Sequence, residues 1–252
     1  MKRIIVSGLL AAFLIGCEQS PEQQAQSKNL PPFDEIENVQ QKKQTFTSFI
    51  TPLIEASNNK ILKQRAEVEV ISAKLVNGSN LSSKQKQILS QLTELYRVDQ
   101  SLDEKSQVQH LLVKVDLIPP ALVLAQAANE SAWGTSRFAR EGNNLFGQWC
   151  YKKGCGLVPL NRNDGANHEV RKFDSVYESV SVYMNNLNSH PAYKGFQLQR
   201  SLARARGELD AIELATQLSS YSERGQAYVE ELQQMMRVNH ELWPTRTPIV
   251  AG

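Results

Sequence analysis

Residues Pro119–Gly134 read PPALVLAQAANESAWG, and this stretch decides the fold. A proline pair is tolerated at the first turn of a helix, where the missing N–H had no intrahelical partner to lose. From Ala121 to about Glu130 the sequence predicts a helix whose interior, Leu122 to Ala128, is apolar on nearly every side. A helix with no polar face is buried on most of its circumference. It should therefore run through the centre of the protein with other helices packed around it. Glu130 breaks the pattern at its end. A carboxylate delivered there is desolvated in a way that one on a wet helix face is not.

Outward from this helix the apolar spacing stays helical. Phe46, Phe49, Ile50, Leu53 and Ile54, then Ile61, Arg65, Val68, Ile71 and Leu75, keep one face until Asn77 and Gly78, and Pro52 is expected to kink or restart that helix. Further helices are predicted after Ser82 or Ser83 and near Asp103. Between Gly142 and Phe173 the period disappears. Six glycines or prolines punctuate short candidate strands around Gln148–Tyr151 and Glu169–Phe173, which predicts an irregular β-hairpin lobe. Helices resume at the capping pairs Ser175/Glu178 and Asp210/Glu213, and the last runs from about Glu223 to His240. Arg200, Arg204 and Arg206 read as one exposed helical face, able to meet carboxylates of a substrate. The fold class is α+β, mostly helical, with a small β-hairpin lobe.

The 252 residues carry 28 Lys plus Arg against 26 Asp plus Glu, a balance that excludes a dedicated nucleic-acid binder. Hydrophobic residues make up 41%, enough for a core, so disorder of the whole chain is excluded. At the amino terminus Lys2 and Arg3 precede an apolar run from Ile4 to Ile15, the pattern of a secretory signal. Leu14–Cys17 (LIGC) resembles a bacterial lipobox, which implies acylation of Cys17. Glu18 after it implies sorting to an outer membrane, facing the periplasm, with membrane contact through the lipid at Cys17. Cys150 and Cys155 then remain as a pair in an oxidising compartment. A disulfide is the favoured reading, with two buried free thiols as the alternative.

Five motifs stand in order: QAANESAWG (Gln126–Gly134), NNLFG (Asn143–Gly147), Trp149 and Cys150 with Gly154, Cys155 and Gly156, HPAY (His190–Tyr193), and YSERGQAY (Tyr221–Tyr228). Together they resemble the bacterial peptidoglycan β-N-acetylglucosaminidase domain (mannosyl-glycoprotein endo-β-N-acetylglucosaminidase-like), and within it the Bax-type members. The resemblance implies a lysozyme-like catalytic domain that hydrolyses β-1,4 bonds at N-acetylglucosamine in glycan strands. It divides the chain into a signal peptide (1–16), a disordered tether (17–35), a helical amino-terminal extension (36–116), a catalytic domain (117–240) and a tail (241–252).

Glycoside hydrolysis needs a carboxylic acid still protonated near neutral pH. Glu130, beside Trp133 at the end of an apolar helix, fits that need, against the alternative of a solvated helix-end residue. The resemblance puts Tyr221 in the groove, holding an N-acetyl group or orienting water; otherwise it is a core tyrosine. Candidates for a second carboxylate are Asp164, Glu169, Glu141 and Glu223, each otherwise a surface charge. Assistance by the substrate's own N-acetyl group would make a second carboxylate unnecessary. Asn143, Asn144 and Phe146 would form the groove floor, or the asparagines would satisfy a turn. Trp133 and Trp149 would stack on sugars or belong to the core, and Tyr228 joins the binding set. The four histidines show no short ligand pairing, and no metal or cofactor is expected. The rival readings are a non-catalytic glycan-binding scaffold and, ranked lower for want of a zinc set or a Cys–His pair, an amidase acting on the stem peptide.

Overall fold

The computed structural model describes residues 30–160, 162, 165 and 167–249. The signal segment, Cys17 and Asp164 lie outside them. Nine α-helices and two small antiparallel sheets make up the described fold, a mostly helical α+β architecture of lysozyme-like character. Among the described residues no helix is long and apolar enough to cross a membrane.

Helix α1 (Val39–Val76) forms one wall. It runs unbroken through Pro52, so the helix does not restart there. Pro52 and Ser48, whose carbonyl loses its N–H partner, are both exposed, so water can replace the bond. Phe46, Ile50, Leu53 and Ile54 are buried and pack this stretch of the helix into the core. Helices α2 (Ser83–Leu95), capped by Ser82 and Gln85, and α3 (Glu104–Lys114), capped by Asp103, follow. Helix α4 (Pro120–Ser131) is the predicted central helix, and every residue from Ala121 to Ala128 is buried. It packs against α1, α8 (Ala211–Ala215) and α9 (Gln226–Val238). Between it and the β-lobe stands a short helix that periodicity did not show, α5 (Arg137–Gly142), capped by Ser136.

The lobe is a three-stranded sheet rather than a hairpin. Strand β3 (Glu169–Arg171) lies between β1 (Trp149–Cys150) and β2 (Gly156–Leu157), with Trp149 opposite Val170 and Gly156 opposite Arg171. Cys150 and Cys155 are disulfide-bonded. A side chain at Gly156 would stand 2.0 Å from the Val170 carbonyl oxygen, so only glycine lets β2 approach. Beyond the lobe come α6 (Val176–Ser189) and α7 (Lys194–Ala205). The 241–249 segment is tied to the body. Trp243 is fully buried with its indole N–H donating to Thr47 Oγ1 at 2.8 Å, and β5 (Arg246–Pro248) pairs with β4 (Glu208–Asp210).

The arginines of α7 correct the reading of an exposed basic face. Arg206 is exposed and pairs with Glu213, but Arg200 is completely buried. Its guanidinium donates to the carbonyls of Val113 (3.1 Å), Lys114 (2.9 Å) and Asp116 (3.2 Å) and to the Asn188 side chain. Arg65 of α1 donates to the carbonyls of Leu112 (2.8 Å) and Val115 (3.0 Å). The last turn of a helix leaves carbonyls without intrahelical donors, and here two guanidiniums supply them. Arg204 grips the buried Asp116 carboxylate with two bonds of 2.5 and 2.6 Å.

Helix α4 ends in three successive left-handed residues, Ala132 (φ 50°), Trp133 (φ 58°) and Gly134 (φ 79°). Left-handed backbone is costly for a residue with a Cβ. Ser131 holds the turn, its hydroxyl donating to Ala127 O (2.6 Å) and accepting from Gly134 N (2.7 Å). Phe33 closes it from above. This residue corrects the predicted extent of the tether: it is fully buried in a short 3₁₀ turn, Phe33–Glu35, and Asp34 beside it pairs with Arg140 at 2.5 Å. Leu30 and Ile36 on either side of it also pack against the core.

Two stability outcomes follow. Asp116→Asn leaves the surrounding guanidiniums without their carboxylate and should cost about 3–5 kcal/mol in chemical denaturation, the penalty of breaking a buried ion pair; a loss under about 1 kcal/mol would mean that the pair is effectively solvated. Gly134→Ala places a Cβ 2.4 Å from the Phe33 ring on left-handed backbone, and should cost about 1–3 kcal/mol from overpacking alone. In a Phe33→Ala background, itself destabilised by the cavity it leaves, Gly134→Ala should cost less than it does in the wild type, the remainder being the backbone strain.

Candidate active site

The end of α4 carries Glu130 to the flank of α9, half-buried beside the Tyr228 hydroxyl. Burial pushes its carboxyl above the usual carboxylate range. The neighbouring Tyr228 hydroxyl pulls the other way, Glu231 adds to the rise and Arg224 opposes it. The charged form is further disfavoured by the unsatisfied carbonyls at a helix carboxyl end. Glu130 is thus a carboxyl group biased toward its acid form.

A directed chain of hydrogen bonds leads to it. The Tyr183 hydroxyl donates to Gln126 Oε1, and Gln126 Nε2 donates to the Tyr228 hydroxyl at 3.0 Å. The Tyr228 proton is not used in either bond, and its hydroxyl lies beside Glu130. Gln126 and Glu130 lie one helical turn apart on α4, so they share a face. Burial raises the Tyr183 and Tyr228 phenols well above their ordinary pKa, with neighbouring charges adding to the rise. Both remain neutral donors at any physiological pH.

Tyr221 closes the cluster. It ends the 3₁₀ turn Thr216–Tyr221, stacks on Tyr228 with ring centroids 5.4 Å apart, and meets Tyr183 edge-on at 6.3 Å. Its hydroxyl donates to the Phe146 carbonyl at 3.1 Å. Burial, then the Glu130 charge, lifts its pKa well above normal. Phe146 itself is buried and stacks face to face on Tyr183 at 3.8 Å. Glu130, Tyr221, Tyr228 and Phe146, distant in sequence, are therefore brought together.

The other candidates separate. Asn144 is buried, and its amide donates to the carbonyls of Gln148 and Arg171 and accepts from the N–H groups of Phe146 and Gln148. Its hydrogen-bonding capacity is spent on the turn. Asn143 is left-handed and donates to the Phe173 carbonyl at 3.1 Å, so the turn reading of both asparagines is the one the geometry favours. Trp149 is 56% exposed and stacks on His168 at 4.2 Å. Trp133 stacks on Trp243 at 5.3 Å with Phe46 edge-on at 5.5 Å, and belongs largely to the core.

Among the carboxylates, Glu169 is buried under the lobe and accepts from the N–H groups of Gly154 (2.9 Å) and Gly156 (2.8 Å). These bonds hold its carboxyl below the usual range, so it fastens the disulfide loop. Cys150, Cys155 and Glu169 bring potential metal-ligand atoms within 4.8 Å of one another, but both sulfurs are consumed by the disulfide. Glu141 is exposed and 3.6 Å from Arg137, and Glu223 is exposed. The carboxylate whose charge reaches Glu130 is one the sequence reading passed over, Glu231, ion-paired to Arg224 at 2.6 Å. Its signal was available: it stands three residues after Tyr228, on the same face of α9.

Residues 105–241, which include Glu130, the tyrosine cluster and Glu231, match the glucosaminidase family, described as mannosyl-glycoprotein endo-beta-N-acetylglucosaminidase. Protein bax of Escherichia coli K12 is 34% identical over 220 residues, spanning 86% of this chain and 77% of that protein. No solved structure matches. A family match over more than half of the chain, joined to a relative aligned along most of both sequences, shows that the chain belongs to the mannosyl-glycoprotein endo-beta-N-acetylglucosaminidase family.

Proposed function

We propose that this protein is a cell-wall hydrolase that cleaves β-1,4 bonds at N-acetylglucosamine in peptidoglycan glycan strands, with Glu130 as the general acid. The observation that carries this reading is the half-buried Glu130 carboxyl, pushed above its ordinary pKa and set beside the end of the Tyr183–Gln126–Tyr228 chain. In its acid form Glu130 gives its proton to the leaving glycosidic oxygen as the bond to the anomeric carbon breaks. Positive charge develops on the sugar ring. The nucleophile is the carbonyl oxygen of the substrate's own N-acetyl group, since Glu169 is bonded to backbone and Glu231 is ion-paired to Arg224. Once deprotonated, Glu130 activates the water that opens the resulting ring. Tyr221 and Tyr228 supply the neutral wall that keeps Glu130 dry, and the exposed Trp149 offers a ring for sugar stacking.

In this reading Cys17 is acylated and holds the protein at the outer membrane, facing the periplasm. Cys17→Ser should release it to the soluble fraction of a cell lysate and abolish labelled palmitate incorporation; unchanged membrane association would overturn the anchor.

A second reading is favoured by one observation: the described candidates for a partner carboxylate are exposed, ion-paired or spent on backbone. A non-catalytic glycan-binding protein would need none. The two readings separate on purified peptidoglycan, where mass spectrometry of released muropeptides also distinguishes a glycosidase from an amidase. Glu130→Gln should lose about 10²–10⁴ in rate, and the wild type should lose activity as pH rises through the raised Glu130 pKa, because the carboxylate cannot donate. Release of no reducing ends from any peptidoglycan by the wild type, with binding intact, would favour the binding protein.

Glu130→Gln should also change stability with a definite sign. A carboxyl whose pKa is raised by folding contributes stability below its ordinary pKa and loses that contribution as pH rises through the folded value. Glutamine never charges. The variant should therefore match the wild type in Tm at about pH 4 and exceed it at about pH 7, whereas a variant less stable at neutral pH would mean that Glu130 is a structural anion.

A further inference from the structure

A cavity of about 410 Å³ opens between α1, the end of α4 and α9. Asn129 and Trp133 from the end of α4, Glu231 and Gln234 from α9, and Lys43 from α1 line it. It adjoins the candidate active site on two counts. Asn129 is the sequence neighbour of Glu130, and Glu231 both lines the cavity and acts on the Glu130 carboxyl.

Lys43 gives the cavity its character. The side chain is half-buried, and its ammonium lies 5.3 Å from the centroid of the Trp133 ring, an arrangement that holds a cation against an aromatic face. One of its three N–H groups donates to Asn239 Oδ1 at 2.9 Å. The others are available for an acceptor in the cavity. The carboxylate that would repel an anion there, Glu231, is ion-paired to Arg224 at 2.6 Å. The amides of Asn129 and Gln234 add neutral donors and acceptors suited to a peptide backbone. A positioned ammonium and flanking amides, with Glu231 already paired to Arg224, make a receptor for a carboxylate carried on a peptide.

We propose that this cavity binds the carboxylate-bearing peptide branch of the glycan strand, with Lys43 as the residue that recognises it. The assignment rests on the peptidoglycan reading above and deepens it: the protein prefers strands that still carry their stem peptides. Lys43 lies outside the family match, which spans residues 105–241, so this preference is contributed by the amino-terminal helix. The α7 arginines, which the sequence offered for the same task, are unsuited to it because Arg200 is buried and Arg204 is bonded to Asp116.

The test uses the full chain and two soluble probes: strand fragments of equal sugar length with intact stem peptides, and the same fragments stripped of peptide. Calorimetric binding and hydrolysis are both measured. The wild type should bind the peptide-bearing fragment about ten- to a hundredfold more tightly, the range for one charge-assisted hydrogen bond. Lys43→Met, which keeps the stem over Trp133, should erase that preference while leaving affinity and kcat for the stripped fragment unchanged. Lys43→Arg should restore most of it. In hydrolysis the effect should appear in KM for the peptide-bearing fragment. A wild type that does not distinguish the two fragments, or a Lys43→Met variant that keeps the preference, overturns the assignment. If the preference and its loss are seen in binding while neither fragment is cleaved, the cavity assignment stands and the hydrolase reading fails.

Discussion

The geometry of this protein depends on how the end of α3 is capped. Its last carbonyls are partly buried, and a carbonyl withdrawn from water without a partner is costly. Arg65 from α1 and Arg200 from α7 supply the donors, and Arg204 fixes the Asp116 carboxylate that balances part of their charge. Burial lowers the Arg200 pKa to about 10, with Asp116 opposing the fall, so the guanidinium stays charged. Such a cluster is weak evidence for stability, since desolvating the ions offsets much of their attraction. What it secures is direction. Three helices distant in sequence meet at Val113–Asp116, and α4 leaves that point along one line through the core.

Direction matters because Glu130 is set at the other end of that line. A half-buried carboxyl group at a helix carboxyl terminus is disfavoured as an anion by desolvation and by the helix dipole together. The Tyr228 hydroxyl and Arg224 oppose those effects. The result is a group that can hold a proton yet be stabilised after giving it up, which general acid catalysis requires. Beyond it the chain reverses through three left-handed residues, so α4 stops within two residues of Glu130 and α9 can pack alongside it. The strain of that turn is borne by the Ser131 hydroxyl and by Phe33.

The sequence made some of this legible. The uniformly apolar run at Leu122–Ala128 placed α4 at the centre, Glu130 at its end was the first candidate for chemistry, and Ser82 and Asp103 marked helix starts because capping is a local interaction between neighbours in the chain. Long-range satisfaction was not legible. Arg200 sits at helical spacing with Arg204 and looks like a solvated face, because nothing local reveals carbonyls from residues more than 80 positions earlier. Asn144 and Glu169 failed as site residues for the same reason, their partners being backbone groups fixed only once the lobe has folded. Glu231 was missed although its spacing from Tyr228 was visible, since a charge on an amphipathic helix normally marks the wet side.

The boundary between extension and catalytic unit is where packing adds most to the family match. That match begins at residue 105, yet Asn58 of α1 exchanges two 2.9 Å hydrogen bonds with the backbone of Ile118, just before α4. Arg65 caps α3, Phe46 meets Trp133, and Thr47 holds the Trp243 indole. A chain cut at residue 105 would keep Glu130, Tyr221 and Tyr228 but lose one wall of the core around the helix that presents Glu130. The segment 36–116 is thus not an appendage: the motifs mark where the chemistry is proposed, while α1 determines whether the helix bearing it is held in place.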